Sequence, residues 1–232
     1  MAAPYFFIAD ISSNSITLDE NTSKHIVSVL RMLKGEELLL TDGKGTKAKA
    51  IITDDNRKRC QVQVLNRTTE PTISPKVSIA ISLIKNASRF EWFLEKATEI
   101  GITEIIPLLC ERTEKEKFRY ERLNGILISA MLQSQQYWLP VLHEPLPFNK
   151  VIQSSAEQKF IAHCEEGKKQ QLTNQLINRS AEKLILIGPE GDFTSKEIEA
   201  ALAAGYEPVA LGNTRLRTET AGMVAATLLR LV

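Results

Sequence analysis

The chain has 232 residues, a formal net charge of +1 and 43% hydrophobic side chains, which allows one large or two small globular domains with a buried core. The near-neutral charge gives no global argument for nucleic acid, and no apolar run approaches the roughly 18 residues of a membrane helix. Three dispersed cysteines, Cys60, Cys110 and Cys164, form no Cys-x-x-Cys pair and the start lacks a signal-peptide pattern, so the expectation is a soluble, reduced, cytoplasmic protein with no metal centre.

Pro4 to Ile8 reads as a strand, and the polar stretch Asp19 to Lys24 opens a short helix through Ile26, Val27 and Leu30. After Gly35, three short strands follow at Leu38–Leu40, Ala48–Ile52 and Gln61–Leu65. Their turns are Asp42-Gly43-Lys44-Gly45 and Asp54-Asp55-Asn56-Arg57. Short strands with tight turns predict a small barrel. Between positions 41 and 67, seven cations stand against three aspartates, a stripe that either attracts phosphate or is a solvated hairpin face. Pro71 and Pro75 interrupt any regular element, so the domain boundary is placed there, giving domains at 1–70 and 74–232.

Beyond that boundary the pattern changes. Val77 to Ile84 reads as a buried strand. Ser88 with Glu91 reads as a capping box opening a helix through Phe90, Phe93, Leu94, Ala97 and Ile100, which Gly101 ends. Glu104 to Cys110 is the next strand. A helix from about Tyr120 to Tyr137 carries Leu123, Leu127, Ala130, Met131 and Ser134 on one face. Strands at Lys159–Cys164 and Lys183–Ile187 follow, and the pair His163-Cys164 reads as structural. Thr194 and Glu197 form a second capping box, opening a helix that stops at Gly205. Glu207–Leu211 is the last strand and Thr218–Leu231 the last helix. Strands alternating with helices predict an α/β fold with a largely parallel sheet covered on both faces.

Two glycine-bearing loops carry the functional signal. Gly188-Pro189-Glu190-Gly191 ends one buried strand, and Leu211-Gly212-Asn213-Thr214-Arg215-Leu216-Arg217-Thr218 ends another. Neither is a phosphate loop: Lys196 lies too far from Gly191, and no Gly-x-Gly-x-x-Gly is present. Loops at the C-terminal ends of neighbouring strands are where an open α/β sheet places a ligand. Backbone polar groups beside Leu211 suit a flat, mostly neutral adenine better than a triphosphate. An ordinary helix start accounts for Thr218 and Glu219, but not for Arg215 and Arg217, which are unfavourable at the positive end of a helix. Arg217 can make a bidentate contact to phosphate or polarise a base carbonyl, and Glu219 can hold Arg217 in place.

Gly-Pro-Glu-Gly followed by Leu-Gly-x-x-x-Leu-Arg-Thr-Glu-Thr-Ala resembles the RsmE family of SPOUT-class methyltransferases. The resemblance extends to His25-Ile26-Val27-Ser28-Val29-Leu30-Arg31, Gly35 and Asp42-Gly43. It also takes in Lys96-Ala97-Thr98-Glu99-Ile100-Gly101, Ile106-Pro107 and Glu111-Arg112. It implies an N-terminal PUA-like β-barrel and a C-terminal parallel sheet with a deep trefoil knot. It also implies S-adenosylmethionine as cofactor and methylation of N3 of a uridine in 16S ribosomal RNA, usually by a homodimer acting on the assembled 30S subunit. By the same resemblance Ile187, Gly188 and Gly191 form one cofactor wall, and Leu211, Gly212, Leu216 and Thr218 the other. Arg217 is expected to stabilise the N3 anion, with Glu219 the candidate base. Glu190 either contacts ligand or is a structural partner, with the second preferred. Arg31, Lys44, Lys47, Lys85 and Arg112 are the RNA-binding candidates.

This chain departs from the family pattern in three places. Asp192 follows Gly191 where Gly-Gly is common, Gln135-Gln136-Tyr137 replaces a usual arginine after Gln133-Ser134, and Asn213-Thr214-Arg215 replaces a Pro-Arg-Ile/Val pattern. Two rival functions carry over to the structure: a non-catalytic RNA-binding or ribosome-assembly module, and a SPOUT ribose 2′-O-methyltransferase.

Overall fold

The computed structural model describes residues 3–114, 117–167, 169–176, 178 and 180–231. The chain divides into two units, Met1–Thr72 with Met131–Leu139, and Ile73–Ala130 with Pro140–Val232.

The first unit contains β1 (Tyr5–Phe7), β2 (Ser15–Thr17), α1 (Glu20–Lys24), β3 (Glu37–Thr41), β4 (Thr46–Asp54) and β5 (Gln61–Thr69). Asp19 caps α1 by accepting from the backbone N–H groups of Asn21 and Thr22. The expected helix through Leu30 continues as a π-helical turn over His25–Val29. The sheet order is β1-β3-β4-β5-β2 among the described residues, with β1 parallel to β3 and the other pairs antiparallel. The expected small barrel is therefore a five-stranded sheet with β1 and β2 at its edges. Register shifts in β4 between Lys49 and Ala50 and between Ile52 and Asp54 add local bend and twist. Alternation along β3 and β4 buries Leu38, Leu40, Ala48, Ala50 and Ile52 against Ile26, Val62 and Val64. β2 is missing from the sequence reading because Ser15-Ile16-Thr17 buries one residue only, too little for a periodic signal.

Met131–Leu139 packs back onto this sheet. The Trp138 indole lies on Gly45, whose φ of +89° and close contact leave no room for a side chain. Its Nε1 donates to the Pro71 carbonyl at 3.0 Å. Tyr137 stands edge-on to Tyr5 at 5.7 Å, with the Lys47 ammonium 5.1 Å from its centroid. The departure at Gln135–Tyr137 thus supplies an aromatic anchor, and Gln135 takes φ +56° as the helix ends.

The second unit holds β6 (Val77–Ser82), α2 (Ala87–Ile100), β7 (Glu104–Leu109), α3 (Tyr120–Gln133), β8 (Val141–Leu142), β9 (Leu146–Pro147), α4 (Phe148–Val151), β10 (Gln158–Ala162), β11 (Gln170–Gln171), α5 (Leu172–Gln175), β12 (Lys183–Ile187), α6 (Ser195–Ala203), β13 (Glu207–Ala210) and α7 (Thr218–Leu231). The sheet order is β11-β13-β10-β12-β6-β7-β8, with β9 beside β7, and every described pair is parallel. All residues of β6 and β12 are buried, as central strands covered on both faces require.

α3 ends four residues before the expected Tyr137. α2 is capped differently from the expected Ser88–Glu91 box: the Asn86 side chain accepts from the N–H groups of Ser88 and Arg89, while Glu91 pairs with Arg122. Asn86 caps two residues upstream of the expected position, so the helix starts at Ala87 and Ser88 lies within its first turn. The Thr194–Glu197 box forms as expected, and Gly101 closes α2 at φ +89°. β10 lies between β12 and β13, so the chain leaves β12, traverses α6 and returns on the far side of β10. α7 then crosses back to pack on α2, β6 and β12. That close approach depends on Gly222, where an added Cβ would sit 2.7 Å from the Phe93 ring and 2.8 Å from Ile81.

Candidate functional site

Register brings the two glycine loops together. Ala162, the last residue of β10, pairs with Ile187 of β12 on one side, and its neighbour Val209 of β13 lies opposite it on the other. Three loops therefore leave the sheet at one level: His163-Cys164 in the middle, Gly188–Gly191 on one flank and Leu211–Arg217 on the other.

Two adjoining cavities form there. The first, about 380 Å³, is walled by Ala162, Val209, Ala210, Leu211, Leu216 and Ala221, with His163, Lys169 and Gly212 at its edges. The second, about 430 Å³, is bounded by Ile187, Gly188, Pro189, Thr218 and a set of charged side chains. Ala162, Cys164, Arg215, Leu216 and Ala221 belong to both. Gly212 has φ +138° and no atom within 4 Å of where a Cβ would stand, so its backbone lies bare to the first cavity. Gly188 is tighter, since an added Cβ would meet Phe193 at 3.1 Å. An apolar slot with exposed backbone polar groups fits a neutral purine.

Charge in the second cavity is sorted by hydrogen bonding. Glu190 accepts from the backbone N–H of Lys85 at 3.0 Å, tying its loop to the β6–α2 connection. Asp192 accepts from the N–H groups of Cys164 at 2.7 Å and Phe193 at 2.8 Å. Glu219 is buried at 8% exposure, with the Arg89 Nε 3.6 Å away. Arg215 and Arg217 are exposed and make no ion pair among the described residues. Two carboxylates are thus held by backbone donors and the third faces Arg89, which leaves two guanidinium groups available to an anionic ligand.

The structure gathers Ile187, Gly188, Leu211, Gly212, Leu216, Arg217, Thr218 and Glu219 around the cavities. Gly191 stands behind the wall. Its carbonyl accepts from Arg112 at 2.7 Å, and Arg112 also reaches the Phe193 carbonyl at 3.3 Å. Arg112 therefore props the loop from behind. The neighbouring Glu111 N–H donates to Glu197 at 2.8 Å, which anchors the same segment to the α6 cap. The expected Glu219–Arg217 contact does not form; Glu219 meets Arg89 instead. Lys85 pairs with Glu114 beside the cleft. Arg31 (φ +57°), Lys44 and Lys47 belong to the first unit, Arg31 and Lys44 exposed and Lys47 over Tyr137.

Sequence reasoning missed four residues of the site. Arg89 carried a usable signal: a cation in the first turn of a helix with no acidic partner there, the same anomaly that marked Arg215 and Arg217. His163 and Cys164, read as structural, line the cavities. Burial, followed by the charge of Lys169, lowers the His163 pKa below the ordinary histidine value, and its buried Nδ1 has no hydrogen-bond partner among the described residues. Asp192 was visible only as a departure. It takes φ +63°, which glycine adopts freely and aspartate tolerates, and its carboxylate supplies a tie glycine lacks.

Comparison with known proteins matches residues 72–230 to the RNA methyltransferase domain family and residues 18–65 to the RNA methyltransferase PUA domain. A ribosomal RNA small subunit methyltransferase E from Synechocystis is 33% identical over 218 residues, covering 91% of this chain and 71% of that protein. The crystal structure of a probable rRNA-methyltransferase from Porphyromonas gingivalis is 40% identical with a TM-score of 0.90, covering 97% of this chain and 95% of that one. A ribosomal RNA small subunit methyltransferase E from Neisseria gonorrhoeae, bound to S-adenosyl methionine, is 28% identical with a TM-score of 0.85, at 97% and 95% coverage.

Proposed function

The chain belongs to the ribosomal RNA small subunit methyltransferase E family, and from that premise we propose that its cleft methylates N3 of a uridine in 16S ribosomal RNA. The protein is an S-adenosylmethionine-dependent ribosomal RNA methyltransferase. The observation that carries the reading is the paired register at Ala162, which seats both glycine loops around one cleft. Bound S-adenosylmethionine supplies a methyl group already activated on a sulfonium, so positioning by the protein dominates the rate gain.

The apolar first cavity takes the adenosine half, between Leu211, Gly212 and Leu216. Ile187, Gly188 and Thr218 bound the second cavity, where the methyl group and target base meet. Gly191 acts through the loop that Arg112 braces. Arg217, exposed and without an ion pair among the described residues, faces the charge that develops on the uridine carbonyls as N3 loses its proton. Glu219 is the proposed proton acceptor: of the three cavity carboxylates, it is the one with no backbone donor among the described residues, and Arg89 orients it.

Residues 1–70 form the RNA-binding PUA-like domain and residues 74–232 the catalytic domain in this reading. Lys44, Lys47 and Arg31 contribute phosphate contacts from the first, and Lys85 from the second. The return of the chain from β13, on the far side of β10, to α7 packed on α2, β6 and β12 supports a knotted C-terminal segment. The working form is a cytoplasmic homodimer acting on the assembled 30S subunit. No described helix is long and apolar enough to cross a membrane.

The deciding experiment incubates the protein and S-adenosylmethionine with unmethylated 30S subunits and with naked 16S RNA, then identifies the product nucleoside by mass spectrometry. N3-methyluridine is expected. A 2′-O-methyl product moves the enzyme to the ribose-modifying class, and binding without methylation supports an assembly module.

A further inference from the structure

A third cavity of about 380 Å³ opens beside the catalytic cleft and plays no part in the chemistry above. Its floor is apolar: Leu83, Ile84, Ala87, Phe90 and Leu123. Its rim is aromatic and basic, with Phe118 half-buried and Lys117 and Arg119 exposed. We propose that this cavity holds an unstacked nucleobase of the RNA substrate, adjacent in the strand to the target uridine, with the base stacked on Phe118 and its phosphates met by Lys117 and Arg119. The inference rests on the reading of the neighbouring cleft as one that methylates ribosomal RNA.

Three observations converge on that occupant. The first is charge. Among the described residues lining the cavity the one carboxylate is Glu91, held through both oxygens by Arg122 at 2.6 and 3.0 Å. Lys117 and Arg119 make no ion pair among the described residues, so the described lining presents a positive excess toward a polyanion. The second is shape and surface. A slot with an aliphatic floor and an aromatic wall is how proteins hold unstacked bases of single-stranded RNA, because every base offers a π-face. The third is continuity. Ala87 and Ser88 line this cavity, and the next residue, Arg89, lines the catalytic one. Both open where β6 runs into α2, so a strand whose target base enters the cleft passes over this slot next.

The test uses the full chain and short single-stranded RNAs spanning the target, each carrying 2-aminopurine at one position flanking the target uridine. Binding to the wild type should quench the fluorescence of one neighbour, through stacking. Phe118→Ala should abolish that quench and raise the KM for 30S subunits about fivefold or more, while Phe118→Tyr restores both. The affinity for S-adenosylmethionine, measured by calorimetry, should be unchanged in both variants, which verifies the fold and the cofactor site. Lys117→Ala with Arg119→Ala should weaken RNA binding and flatten its salt dependence. Absence of quenching at every flanking position in the wild type overturns the proposal, as does a KM for Phe118→Ala within twofold of wild type. The quench is read without turnover, so an inactive wild type would count against the methylation reading and leave this assignment to stand or fall on fluorescence.

Discussion

Asp192 reaches across the mouth of the cleft to Cys164, its Oδ2 accepting the Cys164 backbone N–H at 2.7 Å. One carboxylate thereby joins the loop after β12 to the loop after β10, two of the three connections that line the cleft. Asp192→Asn keeps an acceptor and tolerates the left-handed backbone, so it should behave as wild type. Asp192→Gly suits the backbone equally well but removes the tie. It should weaken S-adenosylmethionine binding by roughly fivefold, the equivalent of about 1 kcal/mol for a solvent-accessible hydrogen bond. Isothermal calorimetry on the two variants checks this; equal affinities would remove the positioning role.

Arg217 is exposed and makes no ion pair among the described residues, so the fold does not depend on it. Arg217→Ala should leave the melting temperature unchanged, within about 0.5 kcal/mol of stability. Single-turnover methylation should fall about 100-fold or more, the usual loss when a donor to a developing oxyanion is deleted. Undiminished turnover would discard the electrostatic role.

Gly222 lets α7 lie against α2 and β6. Gly222→Val should destabilise the catalytic domain by about 1–3 kcal/mol, because the new side chain meets the fixed Phe93 ring and Ile81 inside a packed core. Gly222→Ala should cost less, since its gain in helix propensity of about 1 kcal/mol offsets part of the clash. Thermal melts of the three proteins order them; a stabilised valine variant would contradict the packing.

Glu104 gives the molecule a pH signature. Burial opposes its charge, but hydrogen bonds from Ser78, Lys76 and His143 outweigh burial and hold its pKa below the ordinary carboxylate value. A depressed folded value contributes stability that is present above the unfolded pKa of about 4.3 and is lost as pH falls through the folded value. Glu104→Gln should therefore lose about 1–3 kcal/mol near neutrality and show a flatter decline in melting temperature below pH 4 than wild type. Parallel pH profiles would exclude Glu104 as the source.

Much of the architecture could be read from local pattern. The strand Lys183–Ile187 and the helix Thr218–Leu231 match the structure end to end, because a wholly buried apolar run and an amphipathic run after a polar start leave few alternatives. β8, β9, β11, α4 and α5 escaped because two to four residues carry no periodicity, and each exists only through its neighbours.

The sequence by itself determined which residues had chemistry to offer: two glycine loops free of phosphate-binding signatures, and arginines placed against the helix dipole. Only the tertiary structure decided which of them meet. Strand order put β10 between β12 and β13, and its register aligned their ends at Ala162. That alignment brought His163, Cys164 and Asp192 into the cleft wall. The packing of α7 against α2 set Glu219 beside Arg89 rather than Arg217. Pairings across more than a hundred residues depend on where strands are laid down in the sheet, and no local pattern encodes that choice.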